Sequence, residues 1–319
     1  MSLPSELTQG IDELTRGIAA SHLARASTEL SSEYRGARKG RPQLDRIHQA
    51  AYLTSRLPAT YAVISRVLRE VKERISGLGI GSMLDLGAGP GTAMWAAAEH
   101  FPELARIVLV EDFTEWIAVG KRLAESSILD SIRNAEWRKG SIIQQSFSEA
   151  FDLVTIFYVL NELSPTDVTA LAHDAWNHAD KVLLIVEPGT PVGFERIREV
   201  RQDLIAKGAH IVAPCPHESQ CPMRDENWCH FAERLERSSE HRHAKLAVLG
   251  YEDEKYSYVA VARESVRLPA ARILRHPRKH SGHVELQLCT PQGLQRETVS
   301  KKRGEEYKKA RRAAWGDVI

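Results

Sequence analysis

Two hydrophobic patterns follow one another along this chain of 319 residues. Over the N-terminal part, apolar side chains recur every three or four positions, and the same spacing runs through residues 53–71. The first such set is Ile11, Leu14, Ile18 and Leu23. This is the period of a helix with one buried face. The sequence therefore predicts a helical N-terminal region, residues 1–75, with a break at Pro58.

From Ser82 the pattern changes to short, almost continuous apolar runs separated by helical stretches. The runs are residues 83–86, 107–110, 151–156 and 182–186. Such runs, alternating with helices, are typical of a parallel sheet covered on both faces. The sequence therefore predicts a doubly wound α/β domain, residues 76–210, with a ligand crevice at the carboxyl ends of its strands.

The rest of the chain divides into two predicted regions. Residues 211–250 form a cysteine-rich segment, and residues 251–319 are expected to supply the final core strands and a basic C-terminal extension. Strands are predicted at residues 256–262, 283–289 and 295–300, ahead of a terminal helix.

The composition is that of an ordinary globular protein, with 43% hydrophobic and 27% charged residues. No apolar run approaches the length of a membrane helix, and the first residues have neither a basic n-region nor an arginine-rich transit composition. We therefore expect a cytoplasmic protein without membrane contact. A reducing compartment keeps thiols free, so the cysteines favour metal binding or catalysis over disulfides.

Positive charge is concentrated at the C-terminal end. Residues 267–319 contain 13 Lys and Arg against five Asp and Glu, so this part carries +8 and residues 1–266 carry −7 of the net +1. Such a basic surface can neutralise the phosphates of RNA. A solvated helix face is the alternative. The candidate RNA-binding residues are Arg275, Arg278, Lys279, Lys301, Lys302, Arg303, Lys308, Lys309, Arg311 and Arg312.

A glycine-rich loop follows the first predicted strand and opens a helix. Its glycines are spaced G-x-G-x-G, which differs from the G-x-G-x-x-G loop of dinucleotide sites and resembles the S-adenosylmethionine loop of class I methyltransferases. An acidic residue at the end of the next strand can accept both hydroxyls of a ribose. The predicted cofactor-binding residues are Asp85, Gly87, Gly89, Gly91, Glu111 and Asp112. A plain strand-to-helix turn and an NAD site are the alternatives.

The acceptor of a methyl group is expected just after the strand at residues 151–156. Asn161 and Glu162 lie there and are the candidate catalytic residues. The Asn/Asp-Pro-Pro-aromatic motif of many amino-methylating enzymes is missing at this place. Both side chains are equally suited to capping the helix predicted to begin near Pro165, so the sequence leaves enzymatic activity open.

The four cysteines are Cys215, Cys221, Cys229 and Cys289. The gaps between them are longer than the two to four residues that zinc fingers prefer. A cubane iron–sulfur cluster is larger and accepts thiolates from a wider loop. Iron–sulfur is the leading interpretation, with zinc, assisted by His217 or His230, as an alternative and a catalytic thiol as a weaker one.

Taken together, the motifs resemble a known family. They include the glycine loop, residues 160–163 (LNEL) and 187–191 (EPGTP), the cysteine segments, and residues 298–301 and 307–311 ahead of residues 315–317 (WGD). Together these run from about residue 45 to the C-terminus. They resemble the methyltransferase-like small-ribosomal-subunit proteins of bacteria and mitochondria, which include a mitochondrial ribosome assembly factor.

The resemblance implies a fold, a metal centre and a partner. The fold is the α/β, class I (Rossmann-like) S-adenosylmethionine-dependent methyltransferase fold, with an N-terminal helical region and a cysteine-ligated metal-cluster insertion. Cys215, Cys221, Cys229 and Cys289 would hold a [4Fe–4S] cluster, and the partner would be the small ribosomal subunit through its rRNA. We expect a monomer away from the ribosome.

Two functions fit these expectations. The first is an rRNA methyltransferase that uses S-adenosylmethionine during ribosome assembly and translation. The second is a non-catalytic assembly factor that binds rRNA and keeps an inherited cofactor pocket. Methyl transfer from a sulfonium mainly requires alignment of the reactants, so the sparse acid–base machinery does not exclude the first.

Overall fold

The structure is a computed structural model that describes residues 2–34, 44–143, 147–224, 227–236 and 251–319. The chain divides into two compact units. Unit 1 comprises Met1–Arg69, Gly79–Ser146 and Glu233–Glu254, and unit 2 comprises Glu70–Leu78, Phe147–Ala232 and Lys255–Ile319.

Three helices begin the chain: α1 (Ser5–Thr15), α2 (Ala20–Tyr34) and α3 (Arg46–Arg74). The predicted break at Pro58 is wrong, because α3 continues through it. A proline inside a helix removes one backbone hydrogen bond. Here Leu57 and Ala59 on either side are completely buried, so packing holds the helix where local propensity favours an interruption.

The rest of unit 1 alternates strands and helices. The elements are β1 (Ser82–Leu86), α4 (Thr92–His100), β2 (Arg106–Glu111), α5 (Thr114–Ala124), α6 (Asp130–Arg133) and β3 (Glu136–Lys139). The three strands are parallel in the order β3-β2-β1. This is the βαβ arrangement predicted from the apolar runs, and it brings the carboxyl ends of β1 and β2 to one edge.

The chain then forms β4 (Phe151–Phe157), α7 (Pro165–Asn177), β5 (Ala179–Pro188), α8 (Pro191–Ala206), β6 (His210–Ala213), β7 (Phe231–Glu236) and β8 (Tyr251–Ala262). The strand order is β4-β5-β8-β6. β4 and β5 are parallel, as their apolar runs predicted, whereas β8, whose direction was not predicted, runs antiparallel to both β5 and β6. A buried apolar run does not encode strand direction, and mixed sheets of this kind are common.

The C-terminal part of unit 2 forms a second, antiparallel sheet. It contains β9 (Arg272–Ile273), β10 (Arg278–Lys279), β11 (His283–Thr290) and β12 (Gly293–Ser300), followed by α9 (Glu305–Arg312). Alternate residues of β11, including Val284 and Leu286, pack against Ala310 of α9 in a small core. The sequence placed β11 and β12 correctly, but these two strands belong to this separate sheet and not to the main one.

The four sequence regions proposed above remain a prediction. Residues 225–226 and 237–250 of the cysteine-rich segment lie outside the described residues. Within the described part of the chain, none of the helices combines the length and apolar character needed to cross a bilayer.

Candidate cofactor and metal sites

The glycine loop joins β1 to α4 in unit 1. Its three glycines, Gly87, Gly89 and Gly91, have φ values of +81°, +54° and +81°, which side chains with a Cβ rarely adopt. The backbone N–H groups of Gly87 and Ala88 both donate to the Val110 carbonyl at 3.0 Å. The loop is therefore fastened to the end of β2.

Glu111, the last residue of β2, binds the same loop. One carboxylate oxygen accepts a hydrogen bond from the Gly89 N–H at 2.7 Å, and the other accepts from the Phe113 N–H at 2.9 Å. Burial raises the pKa of this carboxyl, while the backbone donors oppose the rise. Each oxygen has a second lone pair for a ligand hydroxyl. The neighbouring Asp112 is exposed.

The space around the loop fits a cofactor. A Cβ placed on Gly89 would meet no atom within 4 Å, so there is open space against the backbone at this point. The Thr92 hydroxyl at the start of α4 is buried and has no hydrogen-bond partner among the described residues. Such a group normally has a partner. A ligand carrying polar groups would supply one.

In unit 2, the candidate catalytic residues lie in a short 3₁₀ turn, Leu160–Glu162, after β4. Neither caps α7, and that alternative is wrong: the cap is Ser164, whose hydroxyl accepts the Asp167 N–H at 3.2 Å. Asn161 is half-buried and accepts a hydrogen bond from Arg196, whereas Glu162 is exposed. The Asn161 side-chain oxygen is thus already engaged.

The four cysteines line one cavity in unit 2. Cys215 follows β6, Cys221 and Cys229 lie in the segment before β7, and Cys289 is in β11. The cavity has a volume of about 40 Å³, on a measure in which about 10–15 Å³ holds one water. The chain therefore brings together thiols up to 74 positions apart in the sequence.

Two buried arginines form part of the wall of this cavity. Arg201 of α8 donates from Nε to the Cys215 sulfur at 3.2 Å and from Nη2 to the His217 carbonyl at 2.7 Å. Arg272 of β9 donates to the carbonyl of Pro214 at 2.8 Å and pairs with Glu70. Buried arginines are costly unless anionic groups lie nearby. Thiolates in the cavity would supply negative charge.

Without a metal, the thiols are driven toward the neutral form. Burial raises the pKa of Cys221 and raises that of Cys229 well above its usual value. Burial, with Cys215 and Cys221 as further causes, raises the pKa of Cys289 to about 12. A cationic metal reverses this balance, because it binds the deprotonated form.

Zinc and a cubane cluster require different separations between the ligand sulfurs. A tetrahedral zinc with Zn–S bonds of about 2.3 Å places its sulfurs about 3.8 Å apart. Among the described residues, no three ligand atoms that include a cysteine sulfur lie within 4.8 Å of one another. A cubane cluster separates its thiolates further, because its irons stand between them. Four thiols around one cavity are a donor set that either zinc or an iron–sulfur cluster can use.

The residues flanking the cysteines hold the cavity walls in place. The Ser257 hydroxyl donates to the Cys229 carbonyl at 2.8 Å, and the Trp228 indole donates to the Gly189 carbonyl at 3.0 Å. His230 stacks on Trp228 with ring centroids 5.0 Å apart. His217 Nε2 lies 3.4 Å from the Cys289 sulfur. Both histidines, suggested above as zinc ligands, have pKa values lowered chiefly by burial.

The basic candidates divide into paired and unpaired cations. Arg303 binds Glu297 and Glu306, Lys308 binds Glu305, and Arg275 binds Asn227. Arg278 and Arg311 also have partners. No side-chain hydrogen bond or ion pair joins the remaining candidates to any described residue. These exposed cations are Lys279, Lys301, Lys302, Lys309 and Arg312.

Several residues of the cavity were missed from the sequence. Arg201 and Arg272 line the cavity and Glu70 pairs with Arg272, and each of the three is less than a tenth exposed. Tyr258 also lines the cavity and donates to Glu70 at 2.9 Å. Nothing in the sequence indicated these contacts, because the contacting residues lie up to 202 positions apart. Glu187, which belongs to a motif used above only for the family resemblance, is completely buried.

The comparisons with known proteins identify the family. A family model described as mitochondrial small ribosomal subunit Rsm22 matches residues 46–319, and the chain belongs to this family. It is 28% identical over 291 residues to the human ribosome assembly protein METTL17, mitochondrial, and 26% identical over 323 residues to Rsm22-cox11 tandem protein 2, mitochondrial, of Schizosaccharomyces pombe. Each match covers 84% of this chain, but only 61% and 42% of those two relatives.

Solved methyltransferase structures are also similar. Magnesium protoporphyrin IX methyltransferase from Synechocystis gives a TM-score of 0.42 at 11% identity, with 83% of this chain and 100% of that one covered. N-methyltransferase NodS from Bradyrhizobium japonicum gives 0.41 at 13%, with 64% and 96% covered. The α/β, Rossmann-like assignment rests on the strand order described above.

The expectation of a cytoplasmic protein is wrong. The family model and both curated relatives carry mitochondrial descriptions. The expectation came from the composition of the first residues, which indicates cellular location less reliably than these matches do.

Proposed function

We propose that this protein acts in assembly of the small ribosomal subunit, where it binds rRNA and carries two cofactors, S-adenosylmethionine and a [4Fe–4S] cluster. The observation that supports this most strongly is the cysteine cavity in a chain of the Rsm22 family. The relative METTL17 is named as a ribosome assembly protein. The protein would act as a monomer away from the ribosome.

Cys215, Cys221, Cys229 and Cys289 would hold the cluster. When bound, the irons of the cluster would supply the positive charge that stabilises four thiolates in this cavity. Arg201 hydrogen bonds to the Cys215 sulfur and so orients that ligand. Zinc is the alternative occupant, and the long gaps between the cysteines in the sequence support the larger centre.

The cluster would have a structural role. Cys289 lies in the antiparallel C-terminal sheet and pairs with Arg272 across the β9–β11 ladder, whereas the other three ligands follow β6. A metal bound to both segments joins them covalently. For structural zinc, such binding contributes on the order of 10 kcal/mol to folding. The cluster would thus hold in place the sheet that is followed by the turn and the helix carrying Lys301, Lys302, Lys309 and Arg312.

S-adenosylmethionine would bind at the glycine loop of unit 1. Glu111 would accept the ribose hydroxyls, and the open space beside Gly89 would admit the cofactor against the backbone. Asp85, Gly87, Gly91 and Asp112 are the other proposed contact residues. An intact loop supports cofactor binding and does not by itself require turnover.

The rRNA would bind the basic C-terminal surface. Lys301, Lys302, Lys309 and Arg312 are exposed and unpaired among the described residues, so they can neutralise phosphates without first breaking an ion pair. The paired cations would contribute less.

The proposal is tested in a strain that lacks the protein. Wild type should restore maturation of the small subunit, as measured by sedimentation of subunits and by rRNA processing, and Cys289→Ser should not. Cys289→Ser must be checked for soluble accumulation, and Cys221→Ser serves as an independent second variant. Full rescue by both cysteine variants contradicts a required metal centre.

Methylation of small-subunit rRNA is the second candidate function. The observations that favour it are the open loop and the unpartnered Thr92 hydroxyl. Methylated nucleotides should be mapped in the same strain carrying wild type or Gly87→Arg. A mark that returns with wild type alone supports the enzyme. Equal rescue of assembly, with no difference in marks, supports the non-catalytic factor.

A further inference from the structure

A second group of metal-binding side chains lies outside the cysteine cavity. His280, His283 and Glu285 each offer one ligand atom, and the three atoms all lie within 4.8 Å of one another. His283 and Glu285 are two residues apart on the same face of β11, and His280 precedes them across the turn formed by Ser281 and Gly282. We propose that these three side chains form a zinc site.

The distances are close to those of a bound ion. One oxygen of Glu285 lies 3.8 Å from Nε2 of His280 and 3.6 Å from Nε2 of His283. Ligands of a tetrahedral zinc with bonds of about 2.0–2.1 Å lie about 3.4 Å apart. The two imidazoles are stacked, with ring centroids 4.4 Å apart and planes 15° from parallel. Because an ion lies in the plane of each imidazole that binds it, the two rings must rotate out of this stack to bind one ion together.

The turn that carries the ligands is held by its surroundings. The His280 N–H donates to the His283 carbonyl at 2.9 Å, and the Lys301 N–H donates to the Gly282 carbonyl at 2.8 Å. Arg311 donates to the His280 carbonyl at 3.0 Å. A backbone already fixed in the binding conformation lowers the entropy cost of capturing an ion.

The donor atoms and the local charge define which ion fits. Two imidazoles and one carboxylate suit zinc or iron(II) better than magnesium or calcium, and three protein ligands with one water complete the tetrahedral coordination of zinc. Arg278 lies 3.9 Å from Oε2 of Glu285. Oε1, the oxygen near the two histidines, therefore remains available to a metal. The nearby cations weaken the attraction for a dication, and the site is one of moderate affinity.

The test uses the full chain and counts zinc by equilibrium dialysis against free Zn²⁺. Metal already present at the cysteines is measured first and is subtracted from the zinc found after dialysis. Wild type should take up one further zinc, and Glu285→Gln and His283→Gln should each weaken this uptake by at least about tenfold. His22→Gln, which changes an exposed histidine of α2, should bind as wild type does.

Either of two results overturns the site: wild type takes up no further zinc, or Glu285→Gln takes up as much as wild type. Glu285→Gln keeps the size of the side chain and lies on a half-buried position, so it remains informative if His283→Gln fails to fold.

Discussion

Arg201 and Cys215 are joined by a hydrogen bond in which the guanidinium Nε donates to the sulfur at 3.2 Å. Arg201 is only 3% exposed, so its charge is taken out of water beside a thiol. A fixed donor to the sulfur holds this potential ligand in one orientation. The arginine and the cysteines therefore form a single site.

Replacing Arg201 should weaken the metal centre. A hydrogen bond to a charged group contributes about 1.5–3 kcal/mol, so we expect Arg201→Gln to lose its metal at least about tenfold faster than wild type under a chelator. Arg198→Gln is the matched control, since Arg198 lines the same cavity but is paired with Glu195. Equal rates of metal loss in both variants would contradict a specific role for Arg201.

The Arg272–Glu70 pair should dominate the stability of this region. Both side chains are buried, and Glu70 also accepts a hydrogen bond from Tyr258. Removing one partner of a buried ion pair costs about 3–5 kcal/mol. Arg272→Met and Glu70→Gln should each lower the free energy of unfolding in urea by an amount of this order. The double variant should lose less than the sum of the two, and simple additivity would show that the pair is not coupled.

The sequence predicted the buried strands and the glycine loop because one physical requirement determines which residue types can stand at each of these places. Buried strands such as β2 and β5 require apolar runs, and the loop at Gly89 requires a residue that tolerates positive φ. The cysteines were identified as one ligand set because few residue types bind a metal.

The sequence could not predict features set by tertiary contacts. The direction of β8, the continuity of α3 through Pro58 and the burial of Arg201 depend on partners distant in the chain. A buried arginine and an exposed one have the same local sequence signal. For the same reason the engagement of Asn161 by Arg196 was not foreseen.

Glu111 should control binding of S-adenosylmethionine. Its carboxylate joins Gly89 to the end of β2, so Glu111→Ala removes both the proposed ribose acceptor and a support of the loop. We expect calorimetry to show binding to wild type that is at least about tenfold weaker in Glu111→Ala. Glu115→Ala removes an exposed carboxylate in the first turn of α5 that is not a proposed contact, and it should have a small effect. The absence of any binding heat with wild type would contradict the pocket.

The unpaired lysines should set the salt dependence of rRNA binding. Each phosphate that a cation neutralises adds about 0.7–0.9 to the steepness of log K against log salt. Lys301→Ala and Lys309→Ala should each make the slope shallower by an amount of this size. Arg303→Ala, which removes a cation already paired with Glu297 and Glu306, should change the slope less. An equal effect of all three substitutions would show that an ion pair within the protein does not reduce a cation's contribution to rRNA binding.

Glu187 should make stability fall as the pH rises. Burial raises its pKa to about 8, with Arg196 opposing and Glu162 adding to the rise. The folded protein therefore retains a proton that the unfolded chain loses above about 4.5. Between pH 4.5 and pH 8, this group should lower the free energy of unfolding by up to about 1.4 kcal/mol per pH unit. Glu187→Gln should remove that slope from urea unfolding curves measured at several pH values, and unchanged slopes would contradict the assignment.

The most direct test of the account is the metal content of the cysteine cavity. The wild-type chain should be purified without oxygen and analysed for iron, acid-labile sulfide and zinc, together with its visible absorbance and Mössbauer spectrum. We predict about four irons and four sulfides per chain, with both lost in Cys289→Ser. Stoichiometric zinc in place of iron, or no metal at the cysteines, would contradict the account.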